Sequence, residues 1–187
     1  ALSETCHKYG LYLFLDGARL GYGLAAPDND LTLPDIAALC DVFYIGGTKV
    51  GALFGEAVVI KNPELAQDFR YLIKQNGGML AKGRLLGLQF DALFTDGLYQ
   101  EISAHAIAMA EKLREAFTAK GYTYLAPNRT NQIFVIVPDA HLAKIAEQFE
   151  YSYDQRIDAA HSCVRFCTGW ATKEENVDAL IRCVEKL

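Results

Sequence analysis

The sequence has no run of basic residues, no long apolar stretch and no internal repeat. Its net charge of -5 gives no electrostatic reason to expect nucleic acid or an anionic membrane as a partner. Apolar runs are interrupted within about ten residues, whereas a membrane-spanning helix needs roughly 20. The first residues also lack the apolar core of a signal peptide. These absences predict a soluble protein that binds neither nucleic acid nor membranes.

The five cysteines are an odd number, with no CxxC pair and no histidine at a spacing typical of zinc sites. This pattern favours reduced thiols in a cytoplasmic protein and no metal site. Cys163 and Cys167 share one face of a predicted strand, where small core-facing side chains are a better interpretation than a redox pair.

The first ten residues, "ALSETCHKYG", are typical of the last turns of a helix that ends at Gly10. A natural N-terminus rarely lies within a helix. We therefore expect this chain to be the C-terminal part of a longer protein, which an intact mass would test.

The apolar fraction of 51% is sufficient for a core, and its distribution indicates α/β architecture. Residues 11–16, "LYLFLD", are almost uniformly apolar and predict a strand covered on both faces, as in a parallel sheet. A helix over 33–40, with Pro34 in its first turn, separates this strand from a second over 41–49. Residues 51–60 predict a third strand.

The middle of the chain is predicted to be helical. Residues 62–78 indicate a helix capped by Asn62 and closed by Gly77, and residues 79–94 indicate a second, more buried helix. Over 99–120, apolar residues recur at spacings of four and three, which predicts a long amphipathic helix.

The last third alternates short strands and helices. Strands are expected at 133–138 and 163–170, with a helix at 140–149 between them. A capping box from Thr172 to Glu175 indicates the start of a final helix. This segment therefore resembles a small α+β domain.

Charged side chains follow two neighbouring predicted strands. Asp16 ends the first, and a buried carboxylate there needs a cationic partner, either Arg19 or the protonated ring nitrogen of a bound cofactor. Lys49 ends the second, next to Gly46 and Gly47, so backbone can approach a ligand closely. Because ligands bind at the carboxyl ends of strands in α/β sheets, the pair suggests a pyridoxal phosphate site. A structural ion pair and a surface lysine are the alternatives.

Three segments, "FLDGARL", "GGTKVGA" and "NGGMLAKGRLLGLQ", together resemble the threonine aldolase and β-eliminating lyase family of pyridoxal-phosphate enzymes, which have the aspartate aminotransferase type of fold. The resemblance covers nearly all of this chain but about half of a family member. It implies that 1–98 is part of a mainly parallel three-layer sandwich, the large cofactor-binding domain. A linking helix would occupy 99–121, and the small α+β domain 122–187.

The resemblance also implies roles for individual residues. Asp16 would pair with the pyridine nitrogen, and Ala18 would lie against the ring. Arg19 would contact the cofactor's phenolic oxygen or the substrate carboxylate. Lys49 would form the Schiff base, and Thr48 is a candidate phosphate ligand.

The resemblance also implies which residue binds the substrate carboxylate. Arg165 resembles the small-domain arginine that binds the substrate α-carboxylate through two hydrogen bonds, a geometry that lysine does not offer. Lys82 and Arg84 are further candidates for the phosphate. The sequence departs from the family at Thr48, where serine is usual, and at Val50, where glycine is usual.

The activity implied is cleavage of the Cα–Cβ bond of a β-hydroxy amino acid such as threonine, giving glycine and an aldehyde. Another enzyme of the same fold, such as a β-lyase, aminotransferase or racemase, would use the same residues, because fold does not fix the reaction. A non-catalytic homologue is a further alternative. The family has a histidine that stacks on the cofactor ring. None of the histidines of this sequence matches it: His7, His105, His141, His161. A homodimer or homotetramer is expected, with no metal.

Overall fold

The computed structural model describes residues 1–187 and has mixed α/β structure in two compact units. The first unit contains Ala1–Leu24 and Asn29–Glu101, and the second contains Ala25–Asp28 and Ile102–Leu187. The predicted domain limits at residues 98 and 122 stay a prediction. None of the helices combines the length and the apolar character that a membrane-spanning segment requires.

The first unit contains three strands and several short helices. In chain order they are α1 Leu2–Lys8, β1 Phe14–Leu15, α2 Leu20–Leu24, α3 Leu33–Leu39, β2 Val42–Gly46, β3 Glu56–Ile60, α4 Phe69–Gln75 and α5 Arg84–Phe94. The long helix α6, Leu98–Ala119, begins in this unit and continues in the second.

The three strands form a mixed sheet in the order β1-β2-β3, with β1 parallel and β3 antiparallel to β2. One face packs on a core cluster from α2, α3, the residue that follows α3, and β2: Leu20, Ile36, Cys40, Phe43. On the opposite face, Phe14 is 58% exposed and Val58 is 46% exposed. The predicted coverage of the first strand on both faces is therefore wrong, because β1 is a two-residue edge strand and this core lies on one side of the sheet.

The predicted helix over 62–78 is interrupted. Asn62 caps as expected, but it caps a 3₁₀ turn, Pro63–Ala66, by accepting a hydrogen bond from the Glu64 N–H at 3.0 Å. Asp68 then adopts a left-handed conformation with φ of 56°, which ends the turn before α4 begins. Gly77, with φ of 76°, follows the end of α4 as predicted.

Helix α5 is less buried than its apolar composition indicates. Leu93 is buried, but Leu85 is 48% exposed and Leu88 is 59% exposed. The prediction that this helix is more buried than the preceding one is confirmed, since α4 has no buried residue, but apolar composition does not reveal how much of α5 is covered.

The second unit is an antiparallel sheet with helices. It contains β4 Thr123–Tyr124, β5 Gln132–Pro138, α7 Asp139–Ile145, β6 Ser152–Arg156, β7 His161–Cys167 and α8 Glu174–Glu185, together with most of α6. The strand order is β4-β5-β7-β6. One core joins α6, the sheet and α8, including Met109, Leu113, Phe117, Ile133, Val135, Val137, Val164, Phe166, Val177, Leu180, Val184.

Two details of the second unit differ from the predictions. Helix α8 begins at Glu174 and has no side-chain cap; the Thr172 hydroxyl instead accepts from the Gly169 N–H at 2.8 Å. The predicted capping box is therefore wrong, because a turn competes for that hydroxyl. Of the two cysteines expected in the core, Cys163 is buried and Cys167 is exposed.

Candidate functional site

The carboxyl ends of β1 and β2 are joined through backbone contacts that require glycine. The Gly46 N–H donates to the Gly17 carbonyl at 2.9 Å. A Cβ on Gly17 would lie 1.7 Å from the backbone carbonyl oxygen of Tyr44, and one on Gly46 would lie 2.5 Å from the backbone carbonyl oxygen of Ala18. No other residue fits these distances without moving the backbone. The two glycines therefore bring the residues that follow β1 close to the end of β2.

Asp16 lies at this junction with an exposed carboxylate. Its Oδ1 accepts hydrogen bonds from the Tyr44 hydroxyl and from the Ala18 N–H, the latter at 3.0 Å. The Tyr44 hydrogen bond, then the Ala18 N–H and the charges of Lys49 and Arg19, lower the pKa of Asp16. The predicted burial of Asp16 is wrong, and the carboxylate is ionised without a directly paired cation.

Lys49 lies on the glycine-flanked turn after β2. The Val50 and Ala52 N–H groups both donate to the Gly47 carbonyl, at 2.9 and 3.0 Å, and close this turn. The buried Tyr22 donates its hydroxyl to the Lys49 carbonyl. The Lys49 side chain is exposed, and its amine makes no hydrogen bond or ion pair within the chain. The turn therefore fixes the Lys49 backbone and presents its amine to solvent.

Glu56, the first residue of β3, contacts the same turn. Its carboxylate accepts from the Gly47 N–H at 3.0 Å and from the Thr48 hydroxyl at 3.4 Å. A carboxylate next to Thr48 repels a phosphate, so these contacts favour a structural role for the Thr48 hydroxyl. The assignment of Thr48 to a phosphate stays a prediction, as do those of the exposed Lys82 and Arg84.

Tyr99, at the start of α6, supports the junction from within the first unit. Its buried hydroxyl accepts from the Gly21 N–H at 3.0 Å and donates to the Gly46 carbonyl at 3.1 Å. Burial raises the pKa of Tyr99 to about 12, so the hydroxyl stays protonated and able to donate. This one side chain therefore connects α2 to the end of β2.

Arg165 lies on β7 in the second unit and is half-buried. Its Nη1 donates to Gln132 Oε1 at 3.3 Å, while its Nε is buried without a hydrogen-bond partner. A buried guanidinium N–H without an acceptor is rare, because an unpaired buried donor is costly. Arg165 also lines a cavity of about 310 Å³ within this unit, beside Ser152 and Thr168. It therefore retains donor capacity for an anion.

The structure thus brings together the five residues predicted to bind a cofactor, on one edge of the first unit: Asp16, Ala18, Arg19, Thr48, Lys49. The sequence reasoning missed Tyr22, Tyr44, Glu56 and Tyr99. For Tyr44 a signal existed, since it precedes Gly46 by two residues and so shares its face of the strand. The contacts of the others depend on tertiary packing.

A sequence profile described as Beta-eliminating lyase matches residues 1–140. The chain belongs to the β-eliminating lyase family. A low specificity L-threonine aldolase from a Pseudomonas species is 32% identical over 184 residues, which are 96% of this chain and 51% of that protein. The chain thus spans about half the length of the curated relatives it matches. These findings confirm the resemblance that the sequence motifs indicated.

Solved structures of this family and fold are similar over nearly the whole chain. The threonine aldolase of Leishmania major superposes with a TM-score of 0.96 at 42% identity, covering 99% of this chain and 54% of that one. The serine palmitoyltransferase of Sphingomonas wittichii has a TM-score of 0.68 at 16% identity, covering 99% and 49%, and indicates the shared fold alone. The α/β fold class predicted from the sequence is confirmed.

Proposed function

We propose that the intact protein is a pyridoxal-phosphate-dependent lyase that cleaves the Cα–Cβ bond of a β-hydroxy amino acid, giving glycine and an aldehyde. The observation that supports this most is the unpaired Lys49 amine on the edge that carries the ionised Asp16. The likeness to the Leishmania major threonine aldolase favours this reaction over others of the same fold. Because the chain spans about half the length of its relatives, the activity is proposed for the intact protein.

The residues present fit this cofactor. Asp16 Oδ2 makes no hydrogen bond within the chain and is available to a protonated ring nitrogen. Lys49 would hold the cofactor's aldehyde carbon, Ala18 would lie on the ring face, and Arg19 would contact the phenolic oxygen. Thr48 would contact the phosphate from the same turn only if its hydroxyl leaves the Glu56 carboxylate. When bound, pyridoxal phosphate supplies an electron sink for the charge left on the substrate carbon.

Residues of this chain would also set the protonation of the cofactor and orient the substrate. Asp16, kept ionised by its hydrogen bonds, would hold the ring nitrogen in its protonated form. Arg165, with an unused Nε–H, binds the substrate carboxylate and so determines which bond at Cα is oriented for cleavage. Arg19 is the second candidate for this carboxylate. A base must accept the β-hydroxyl proton, and none of the four histidines is assigned to it.

The remaining features of the intact enzyme belong to the same proposal. Residues 1–98 would be part of a mainly parallel three-layer sandwich, 99–121 would form a linking helix, and 122–187 would form the small domain. The protein would be cytoplasmic and would act as a homodimer or homotetramer. An amino acid would be its small-molecule substrate.

The proposal is tested by the absorbance spectrum of the intact protein with pyridoxal phosphate. Wild type is expected to show a visible band that shifts with glycine, and to release acetaldehyde from L-threonine. Lys49→Ala should lose the band, whereas Lys61→Ala, which removes another exposed lysine of the first unit, should keep it.

Other outcomes discriminate between the alternatives. A Lys49-dependent band with no acetaldehyde, but with amino transfer to an oxoacid, would indicate an aminotransferase. Elimination from a β-substituted amino acid would indicate a β-lyase, and inversion at Cα a racemase. No band in wild type would overturn the proposal in favour of a non-catalytic homologue.

A further inference from the structure

Tyr44 is the one side chain that donates a hydrogen bond to Asp16. Leu15 of β1 pairs with Phe43 of β2 in parallel register, so the next residues along the two strands, Asp16 and Tyr44, lie opposite each other. Side chains opposite each other in a ladder share a face of the sheet. The contact is therefore determined by the strand register.

The hydrogen bonds divide the two carboxylate oxygens of Asp16 into different roles. Oδ1 accepts both from the Tyr44 hydroxyl and from the Ala18 N–H, whereas Oδ2 accepts from no group of the chain. Arg19 and Lys49 contribute their charge but no direct ion pair. One oxygen is thus held by the protein and the other remains available.

We propose that Tyr44 is a positioning residue whose hydroxyl holds Asp16 Oδ1 so that Oδ2 is presented to the ring nitrogen of the cofactor. This inference rests on the proposed function. It assigns to β2 a role beyond leading into the turn that carries Lys49, because β2 also orients the acid that follows β1.

The hydrogen bond to Asp16 itself keeps Tyr44 protonated and able to donate. The hydrogen bond to Asp16, with smaller contributions from burial and from the charges of Asp16 and Glu56, raises the pKa of Tyr44 to about 12. The phenol therefore stays protonated at neutral pH. In turn, its hydrogen bond is the largest cause of the lowered pKa of Asp16.

Removal of the hydroxyl alone is a clean perturbation. The Tyr44 ring packs on the Phe14 ring with centroids 6.0 Å apart, and this contact remains in Tyr44→Phe. Tyr12→Phe is a matched control, because the Tyr12 hydroxyl also donates to a carboxylate of the first unit, that of Glu64 at 3.3 Å.

The experiment compares the intact wild type, Tyr44→Phe and Tyr12→Phe. Carboxyl ¹³C NMR without cofactor gives the pKa of Asp16, and an absorbance titration gives the dissociation constant of pyridoxal phosphate. Tyr44→Phe is expected to raise the pKa of Asp16 and to weaken cofactor binding about tenfold, as a hydrogen bond to a charged group is worth at least that much. Tyr12→Phe should change neither quantity.

Three outcomes separate this inference from the proposed function. If wild type binds the cofactor through Lys49 and Tyr44→Phe binds it equally well, the inference is overturned while the function stands. If wild type forms no Lys49-dependent band, both fail. Should Tyr44→Phe not fold, 3-fluorotyrosine at position 44 retains the bond with a stronger donor and is expected to lower the pKa of Asp16 further; no shift would overturn the inference.

Discussion

The two units of the chain differ in where their apolar residues lie. In the second unit, alternate residues of β5 are buried, and they join α6 and α8 in one core. In the first unit, the sheet face that carries Asp16 and Tyr44 also carries the exposed Phe14 and Val58. The second unit is thus held together by side-chain packing. The candidate site in the first unit depends instead on backbone contacts at glycines and on hydrogen bonds from tyrosines.

The largest expected effect tests the packing of the second unit. Phe117 is fully buried, with ring centroids 5.4 Å from Phe166 and 5.7 Å from Tyr122. Phe117→Ala should lower the free energy of unfolding by about 3–5 kcal/mol in urea denaturation, because it leaves a cavity. The matched change Phe14→Ala should cost less than about 1 kcal/mol, since that ring is exposed. Equal losses of unfolding free energy in the two variants would contradict the contrast between the units and indicate that Phe14 is covered in the intact protein.

The next effect tests the backbone contacts of the first unit. Gly17→Ala places a methyl group on the Tyr44 carbonyl and should cost about 3 kcal/mol, because the strand ends must separate. The binding of pyridoxal phosphate proposed for the intact protein should weaken together with stability. Gly23→Ala is the control, since a Cβ there meets nothing within 4 Å, and alanine is the better helix former by about 0.5–1 kcal/mol. Unaltered stability of Gly17→Ala would show that the junction is not tight.

The smallest of these effects concerns a polar cluster in the second unit. Burial raises the pKa of Glu111, but hydrogen bonds from Arg129 and Arg114, each at 3.1 Å, outweigh it, so the net shift is downward. Glu111→Gln should cost about 2 kcal/mol at neutral pH, since it removes the charge that both guanidinium groups contact.

The pH dependence of this effect has a definite sign. Because the pKa of Glu111 is lower in the folded state, its stabilisation is present above the unfolded value of about 4.3 and is lost as pH falls through the folded value. The difference between wild type and Glu111→Gln in urea denaturation should therefore shrink below about pH 4. Glu174→Gln, in an exposed pair with Lys112, should change little at any pH. A constant difference from pH 7 to pH 3 would contradict the assignment.

Local patterns predicted the elements whose burial is periodic. Strand β5 alternates Ile133, Val135 and Val137 into the core, and α6 matches its spacings of three and four. Strand β6 was not predicted, because all five of its residues are exposed and no alternation exists to detect. Burial of β1 on both faces was predicted wrongly, since an apolar run does not reveal which neighbour covers it.

The candidate site also contains residues that local sequence patterns could predict and residues that they could not. Asp16 and Lys49 could be singled out because each ends a recognisable strand and, together, they match a family motif. The hydroxyls that support them could not, since the Tyr99 contacts join residues 53 and 78 positions apart. Such contacts arise from tertiary packing, which no local periodicity encodes.

The Tyr99 hydroxyl has a consequence for deuterium exchange. Gly21 is the second residue of α2, and first-turn amides of a helix have no partner within it. Here the phenol oxygen accepts from that amide in a buried setting, so the Gly21 proton exchanges with solvent only when α2 and the end of β2 come apart. One slowly exchanging amide, followed by NMR in the absence of any ligand, thus reports how often the edge that carries Asp16 and Lys49 opens.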